Sequence, residues 1–258
     1  MDARVLLRHV LKCTAARLAG WPEQRLSARE WEDYRALVER RVAGEPVAYL
    51  VGEREFFGRN FMVTPAVLIP RPDTELLVEL ALAHFSGEPR LRLLDMGTGS
   101  GALAVTLALE LEGADVTALD RSREALWVAM ANAAKLGASV SFVQSDWFSG
   151  LGEERFQLIV ANPPYIAAAD PHLEEGDLRF EPRTALAAGP AGLDDLAEII
   201  AGTPHHLEPG GWLFLEHGYD QAMSVRSLLA DAGFAAITSW KDLGGIERVS
   251  GGRWLGRA

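Results

Sequence analysis

The residues whose types and spacing best suit chemistry are Asn162-Pro163-Pro164-Tyr165. An asparagine side chain carries an acceptor oxygen and an NH2 donor, and the Pro163 carbonyl adds a second acceptor. Two consecutive prolines neither continue a strand nor enter a helix interior, so the backbone there is a stiff, extended turn. Two acceptors fixed on such a turn can hold both hydrogens of a planar NH2 group, either an amide or an exocyclic amine. An isolated Asn-Pro is ordinarily a capped turn. This one closes the apolar run Phe156-Gln157-Leu158-Ile159-Val160-Ala161, which has the length of a buried parallel strand.

A second constellation lies upstream. Leu93-Leu94-Asp95-Met96-Gly97-Thr98-Gly99-Ser100-Gly101-Ala102 reads as a strand, a glycine turn and a helix start. Glycines let a ligand approach the backbone, and a helix N-terminus offers free N–H groups. A triphosphate loop needs Lys-Ser or Lys-Thr after its last glycine, and Ala102-Leu103 stand there instead. A dinucleotide fingerprint is the closer rival: Gly97-x-Gly99-x-x-Ala102 fits it, with Asp120 near the expected distance. The loop alone does not separate NAD from S-adenosylmethionine. Two features favour the latter. A carboxylate at Asp95 suits an ammonium and a sulfonium better than a pyrophosphate, and hydride transfer gives the Asn162 turn no task.

Asp120 is placed to accept from a ribose diol, with Ser122 the better candidate to cap the next helix. Asp146 can accept from an adenine amino group while an adjacent aromatic, Trp147 or Phe148, packs the ring. Alternatively these aromatics plug the sheet edge. Glu216 and His217, at a later strand end, are assigned support of the cleft rather than chemistry. No motif supplies a metal-ligand cluster.

These side chains need a scaffold to bring them together. From residue 91 strands and helices alternate, which predicts an α/β, doubly wound, mostly parallel sheet with right-handed crossovers. Residues 235–240 and 247–255 add two final strands, one antiparallel. Before residue 91 the pattern is different. A helix is expected over 2–19 with Cys13 buried in it, and a second follows the capping box Ser27-x-x-Glu30. Glu55-Phe56-Phe57 and Phe61-Met62-Val63 read as the strands of a hairpin, joined by the glycine-containing turn Gly58-Arg59-Asn60. Ile69-Pro70-Arg71-Pro72-Asp73-Thr74-Glu75 is a rigid linker that holds Arg71 at a fixed angle toward the cleft and opens a helix from Thr74 to about Phe85. The domains are therefore 1–52 (helical), 53–72 (hairpin and linker) and 73–258 (sheet).

The 258 residues suffice for one core and a small extra module, and 48% apolar with 24% charged residues is the composition of a soluble globular enzyme. No apolar run reaches membrane-spanning length and no signal-peptide core opens the chain, so a cytoplasmic location without membrane contact is expected. A lone cysteine excludes an internal disulfide. The net charge of −11 is uneven: residues 1–45 hold nine Arg/Lys and seven Asp/Glu, the remainder 16 and 29. So acidic a body disfavours long contacts with nucleic-acid phosphate.

Taken together, these stretches resemble the protein-glutamine methyltransferases that modify peptide-chain release factors, class I S-adenosylmethionine enzymes. The likeness runs nearly the full length, through Gly44–Leu50, Ile69–Glu75, the Gly97–Gly101 loop, Ser145–Phe148, Asn162–Tyr165, Arg179–Pro182, Leu215–Gly218 and Glu247–Val249. The pair Arg71–Glu75 with Arg179–Pro182 is its specific part. The resemblance implies S-adenosylmethionine contacts at Gly97, Thr98, Gly99, Ser100, Gly101, Asp120 and Trp147, with S-adenosylhomocysteine as product. It implies glutamine contacts at Asn162, Pro163, Pro164 and Tyr165, of which Asn162, Pro163 and Tyr165 would be catalytic, Asn162 also lying against the cofactor. The implied partner is a release factor presenting a Gly-Gly-Gln loop to a monomeric enzyme, with no nucleic-acid substrate. Two other readings stay open: an N6-adenine methyltransferase of nucleic acid, and a non-catalytic cofactor-binding scaffold.

Overall fold

The structure, a computed structural model, describes residues 2–256. Four helices come first: α1 (Asp2–Leu11), α2 (Ala15–Gly20), α3 (Ala28–Val42) and α4 (Val47–Val51). The single helix expected over 2–19 is thus two. The apolar periodicity runs on through the break, but Lys12 turns left-handed at φ +48° and the Thr14 hydroxyl accepts from the Arg17 amide to start α2. Local side-chain bonding of this kind offers the backbone an alternative to helix. Cys13, expected inside a buried helix, sits in the break and is only half-buried. The Ser27–Glu30 capping box forms as expected.

The hairpin pairs β1 (Glu53–Phe56) with β2 (Arg59–Met62). Phe57, read as a strand residue, instead forms the turn with Gly58. Both have positive φ, the geometry that matches a two-residue turn to strand twist. Phe56 and Phe61 then pack edge to face inside the main core.

The sheet comprises β3 (Arg92–Met96), β4 (Asp115–Asp120), β5 (Ser141–Gln144), β6 (Phe156–Ala161), β7 (Leu207–Glu216), β8 (Ala235–Lys241) and β9 (Glu247–Arg253). Its order is β5-β4-β3-β6-β7-β9-β8, with β9 antiparallel to both neighbours. Helices α5 (Glu75–Phe85), α6 (Ala102–Glu110) and α7 (Arg123–Leu136) cover one face, and α8 (Asp194–Gly202) and α9 (Ala222–Asp231) the other. Along β6, Leu158 and Val160 face the first layer while Ile159 and Ala161 face the second. Burial on both faces explains why this strand is apolar from Leu158 to Ala161 rather than alternating.

Strand order reverses between β3 and β6, so the loops leaving their carboxyl ends part and open a crevice. Those loops are Gly97–Gly101 and Asn162–Tyr165.

Candidate active site

A cavity of about 350 Å³ occupies the crevice, a size that takes a small-molecule ligand. Of the residues singled out in the sequence, Gly97, Gly99, Asp120, Asp146, Trp147, Asn162, Pro163 and Pro164 line it. The others stand behind its wall. Asp95 is 1% exposed under the glycine loop, where its Oδ2 accepts from Thr98 Oγ1 (2.6 Å) and the Ala104 amide (3.2 Å). Its Oδ1 is buried without a partner, and burial pushes the carboxyl up to about 7. Ser100 offers its carbonyl to Asn132 Nδ2 (2.8 Å). Asn132 also holds both backbone polar groups of Met62, so it braces the glycine loop against β2. Gly101 has φ +80°, and a Cβ there would sit 3.0 Å from that of Ala129. The third glycine therefore allows α6 and α7 to pack closely.

The loop's own hydrogen bonds bear on what it can hold. The Gly97 and Thr98 amides both donate to the Leu119 carbonyl (2.9 Å each), Gly101 to the Thr98 carbonyl (2.8 Å) and Gly99 to Asp120 Oδ2 (2.9 Å). Of the five loop amides only that of Ser100 is left for a pyrophosphate. Asp120 Oδ1 accepts from the Ser122 amide (2.9 Å), and Ser122, as expected, caps α7 through the Ala125 amide. Burial raises the Asp120 pKa against these bonds. Asp120, Glu124, Asp146 and Asp195 face the cavity with Arg121 as their counter-charge. Such a lining attracts a cationic ligand and repels an anionic one.

Trp147 adopts φ +44°, strained for a bulky side chain, and this brings its ring against Gly97. The Ser145 hydroxyl holds the bend by donating to the Trp147 carbonyl (2.5 Å) and accepting from the Gly150 amide (2.7 Å). Trp147 Nε1 donates to Asp195 Oδ1 (3.2 Å), and burial raises the Asp195 pKa. Asp195 is a site residue that sequence reading missed.

Asn162 follows β6, and its Nδ2 donates to Thr74 Oγ1 (3.0 Å). Tyr165 does not line the cavity. Its hydroxyl donates to Oε1 of Glu216 (3.1 Å), which is 1% exposed at the end of β7. Burial raises the Glu216 pKa to about 7, opposed by the Thr74 and Tyr165 hydroxyls. His217 is wholly buried between the Gly218 carbonyl and the Ser250 hydroxyl (2.8 Å each), and burial lowers its pKa.

The crossover connection 166–192, between β6 and α8, contributes Pro182, Thr184 and Ala185 to the cavity wall. Glu181 fastens this segment by accepting from the Ile69 amide (2.9 Å) and pairing with Arg71. Arg71, expected to face the cleft, is thus turned to Glu181 and lies outside the cavity wall. The segment also reaches the helical module, where Asp177 pairs with Arg41 (3.0 Å) and Arg179 donates to the Ala43 carbonyl (2.9 Å).

Residues 1–52 match the family described as the PrmC N-terminal domain, and residues 73–175 the methyltransferase small domain. A release factor glutamine methyltransferase of Burkholderia pseudomallei is 52% identical over 99% of this chain and 92% of its own length. Among solved structures, a methyltransferase from Pyrococcus furiosus superposes with TM-score 0.59 at 18% identity, over 85% of this chain and 98% of that one. A T. thermophilus 16S rRNA N2 G1207 methyltransferase, in complex with AdoMet and guanosine, gives 0.58 at 20% identity over 78% and 49%. At those identities the two structures speak for the fold alone.

Proposed function

The chain belongs to the release factor glutamine methyltransferases, and we propose that it methylates the side-chain amide nitrogen of the glutamine in a release factor's Gly-Gly-Gln loop. The observation that carries this reading is the Asn162 amide in the wall of an acidic cavity, its NH2 already engaged by Thr74. That bond leaves Oδ1 as the free acceptor beside the Pro163 carbonyl. The cavity residues fit S-adenosylmethionine: the wall is acidic, four of the five glycine-loop amides are spent, and the unpartnered Asp95 Oδ1 lacks a cation or donor. In this reading Asp95 and the Gly97–Gly101 loop serve its amino-acid end, Asp120 its ribose, and Asp146 with Trp147 its adenine.

Bound there, S-adenosylmethionine supplies an electrophilic methyl carbon. The protein's task is then the acceptor. An amide nitrogen is a weak nucleophile because its lone pair is delocalised into the carbonyl. Accepting both N–H bonds at Asn162 Oδ1 and the Pro163 carbonyl draws electron density onto nitrogen and fixes its approach. Dipoles placed in advance meet the positive charge that develops, and a single contact of this kind is worth ~3–4 kcal/mol. The substituted amide is acidic enough to lose its extra proton to water or a carbonyl. Tyr165 stiffens the turn from behind through Glu216. Residues 1–52 would dock the protein substrate, 53–72 connect, and 73–258 carry the reaction in a single chain.

The test is incubation with methyl-labelled S-adenosylmethionine and a Gly-Gly-Gln release factor, wild type against its Gln→Ala form, with nucleic acid as a parallel substrate. Label on the wild-type factor alone is expected. Label on nucleic acid, or equal label on both factor forms, would overturn the reading.

A further inference from the structure

Thr74 ends the 3-10 turn Pro72–Thr74 that leads into α5, with helical φ −66° and ψ −20°, and a threonine hydroxyl at the start of a helix ordinarily accepts from an amide of the first turn. Here it makes no such bond. The side chain is 5% exposed and accepts instead from Asn162 Nδ2, 88 residues further along the chain. With Oγ1 accepting from Asn162, the Thr74 proton needs an acceptor of its own; Glu216 Oε2 is buried without a partner, and its carboxylate is stabilised by the Thr74 hydroxyl. Glu216 in turn accepts from the Tyr165 hydroxyl (3.1 Å). A bond from the Thr74 hydroxyl to Oε2 would run the chain in one direction, Asn162 N–H to Thr74 O–H to Glu216, and tie both ends of the Asn162–Tyr165 turn to one buried acid.

The direction has a consequence for the Asn162 side chain. An asparagine amide can rotate by half a turn, exchanging its oxygen and nitrogen at little steric cost. Turned the wrong way, it would present NH2 to an incoming NH2, and two donors repel. A partner that only accepts from Asn162 forbids that orientation, and Thr74 is such a partner while Glu216 takes its proton. We propose that Thr74 is a positioning residue for methyl transfer, locking the Asn162 amide with Oδ1 toward the substrate's NH2 group. The inference rests on the reading of Asn162 as the acceptor that holds the glutamine.

Thr74→Val keeps the shape and removes the hydroxyl, while Thr74→Ser keeps the hydroxyl and removes a methyl. Both variants and wild type are assayed for initial rates on a Gly-Gly-Gln release factor, with S-adenosylmethionine affinity measured separately by calorimetry. A lost positioning contact of this kind costs about 10–100-fold in rate. We expect Thr74→Val to lower kcat by that factor with cofactor affinity within about twofold, and Thr74→Ser to recover most of it. In the Asn162→Ala background, Thr74→Val should add little further loss, since the group it positions is gone. Wild-type kcat in Thr74→Val, no recovery in Thr74→Ser, or full additivity with Asn162→Ala would each overturn the proposal. Failure of wild type itself to label glutamine would overturn the proposed function, a result distinct from any of these.

Discussion

Glu216 is where burial and function oppose each other most directly. Removal from water raises its pKa to about 7, and Asp73 nearby adds to that, while Thr74, Tyr165 and Arg248 oppose it. Above that value the carboxylate accepts from Tyr165 at Oε1 and, in the proposed arrangement, from Thr74 at Oε2. Below it the group carries a proton, becomes a donor and releases one of them. Turnover should therefore fall as pH drops through about 7, and Glu216→Gln should show a low kcat without that inflection. Asp95 is also pushed up to about 7, but it faces Thr98, Ala104 and Asp120. Its titration belongs in cofactor affinity, so separate pH profiles of kcat and of S-adenosylmethionine binding distinguish the two acids; an unchanged inflection in Glu216→Gln would refute the assignment. That Asn162, Asp120 and the glycine loop meet at one cavity was legible in the sequence, because each follows or ends a strand of an open parallel sheet. Asp195 was not, since its bond to Trp147 spans 48 residues and depends on how α8 meets the sheet. The partner of Asn162 was hidden for the same reason: Thr74 lies 88 residues away and reads only as the first residue of a helix.

At the scale of elements, the crossover segment 166–192 depends on the helical module for its seat. Gly44 has φ +102°, and a Cβ there would meet the Arg179 guanidinium at 1.7 Å. Gly44→Ala should strain the turn and displace Arg179 from the Ala43 carbonyl. Strained backbone of this kind costs ~1–3 kcal/mol. Because Pro182, Thr184 and Ala185 belong to the same segment and wall the cavity, the expected result is a lower melting temperature and a several-fold weaker S-adenosylmethionine affinity, with kcat little changed. Calorimetry and melting curves on the purified variant measure both. Unaltered affinity would mean that the segment holds its place without the helical module. The strands and the helices between them were readable because buried strands and amphipathic helices leave different periods in the sequence. The break at Lys12-Cys13-Thr14 was not, because apolar spacing carries across it and one threonine hydroxyl decides the outcome. The turn at Phe57-Gly58 was misread for a related reason: an aromatic is a strong strand former, and only the register of β1 against β2 places it in the bend.

At the scale of the whole molecule, the charge read from the sequence acquires a location. The surplus of acid in the body is not merely a solvated surface, since four carboxylates and one arginine stand around a single cavity. Among the described residues no helix is long and apolar enough to cross a membrane. The antiparallel strand foreseen near the end of the chain is β9, and its place in the sheet could not be read from the sequence. It is later in the chain than β8 yet lies between β8 and β7, and its Ser250 holds His217, the neighbour of Glu216. The sheet is therefore sealed late, by a strand threaded between two that precede it. A ribosomal product halted before Glu247 would leave β7 with a bare hydrogen-bonding edge and β8 with nothing to join, an arrangement prone to sticking to its own kind. Such a product should be lost as insoluble aggregate rather than recovered as a weakened enzyme, and comparing its soluble yield with that of the full chain would reveal the difference.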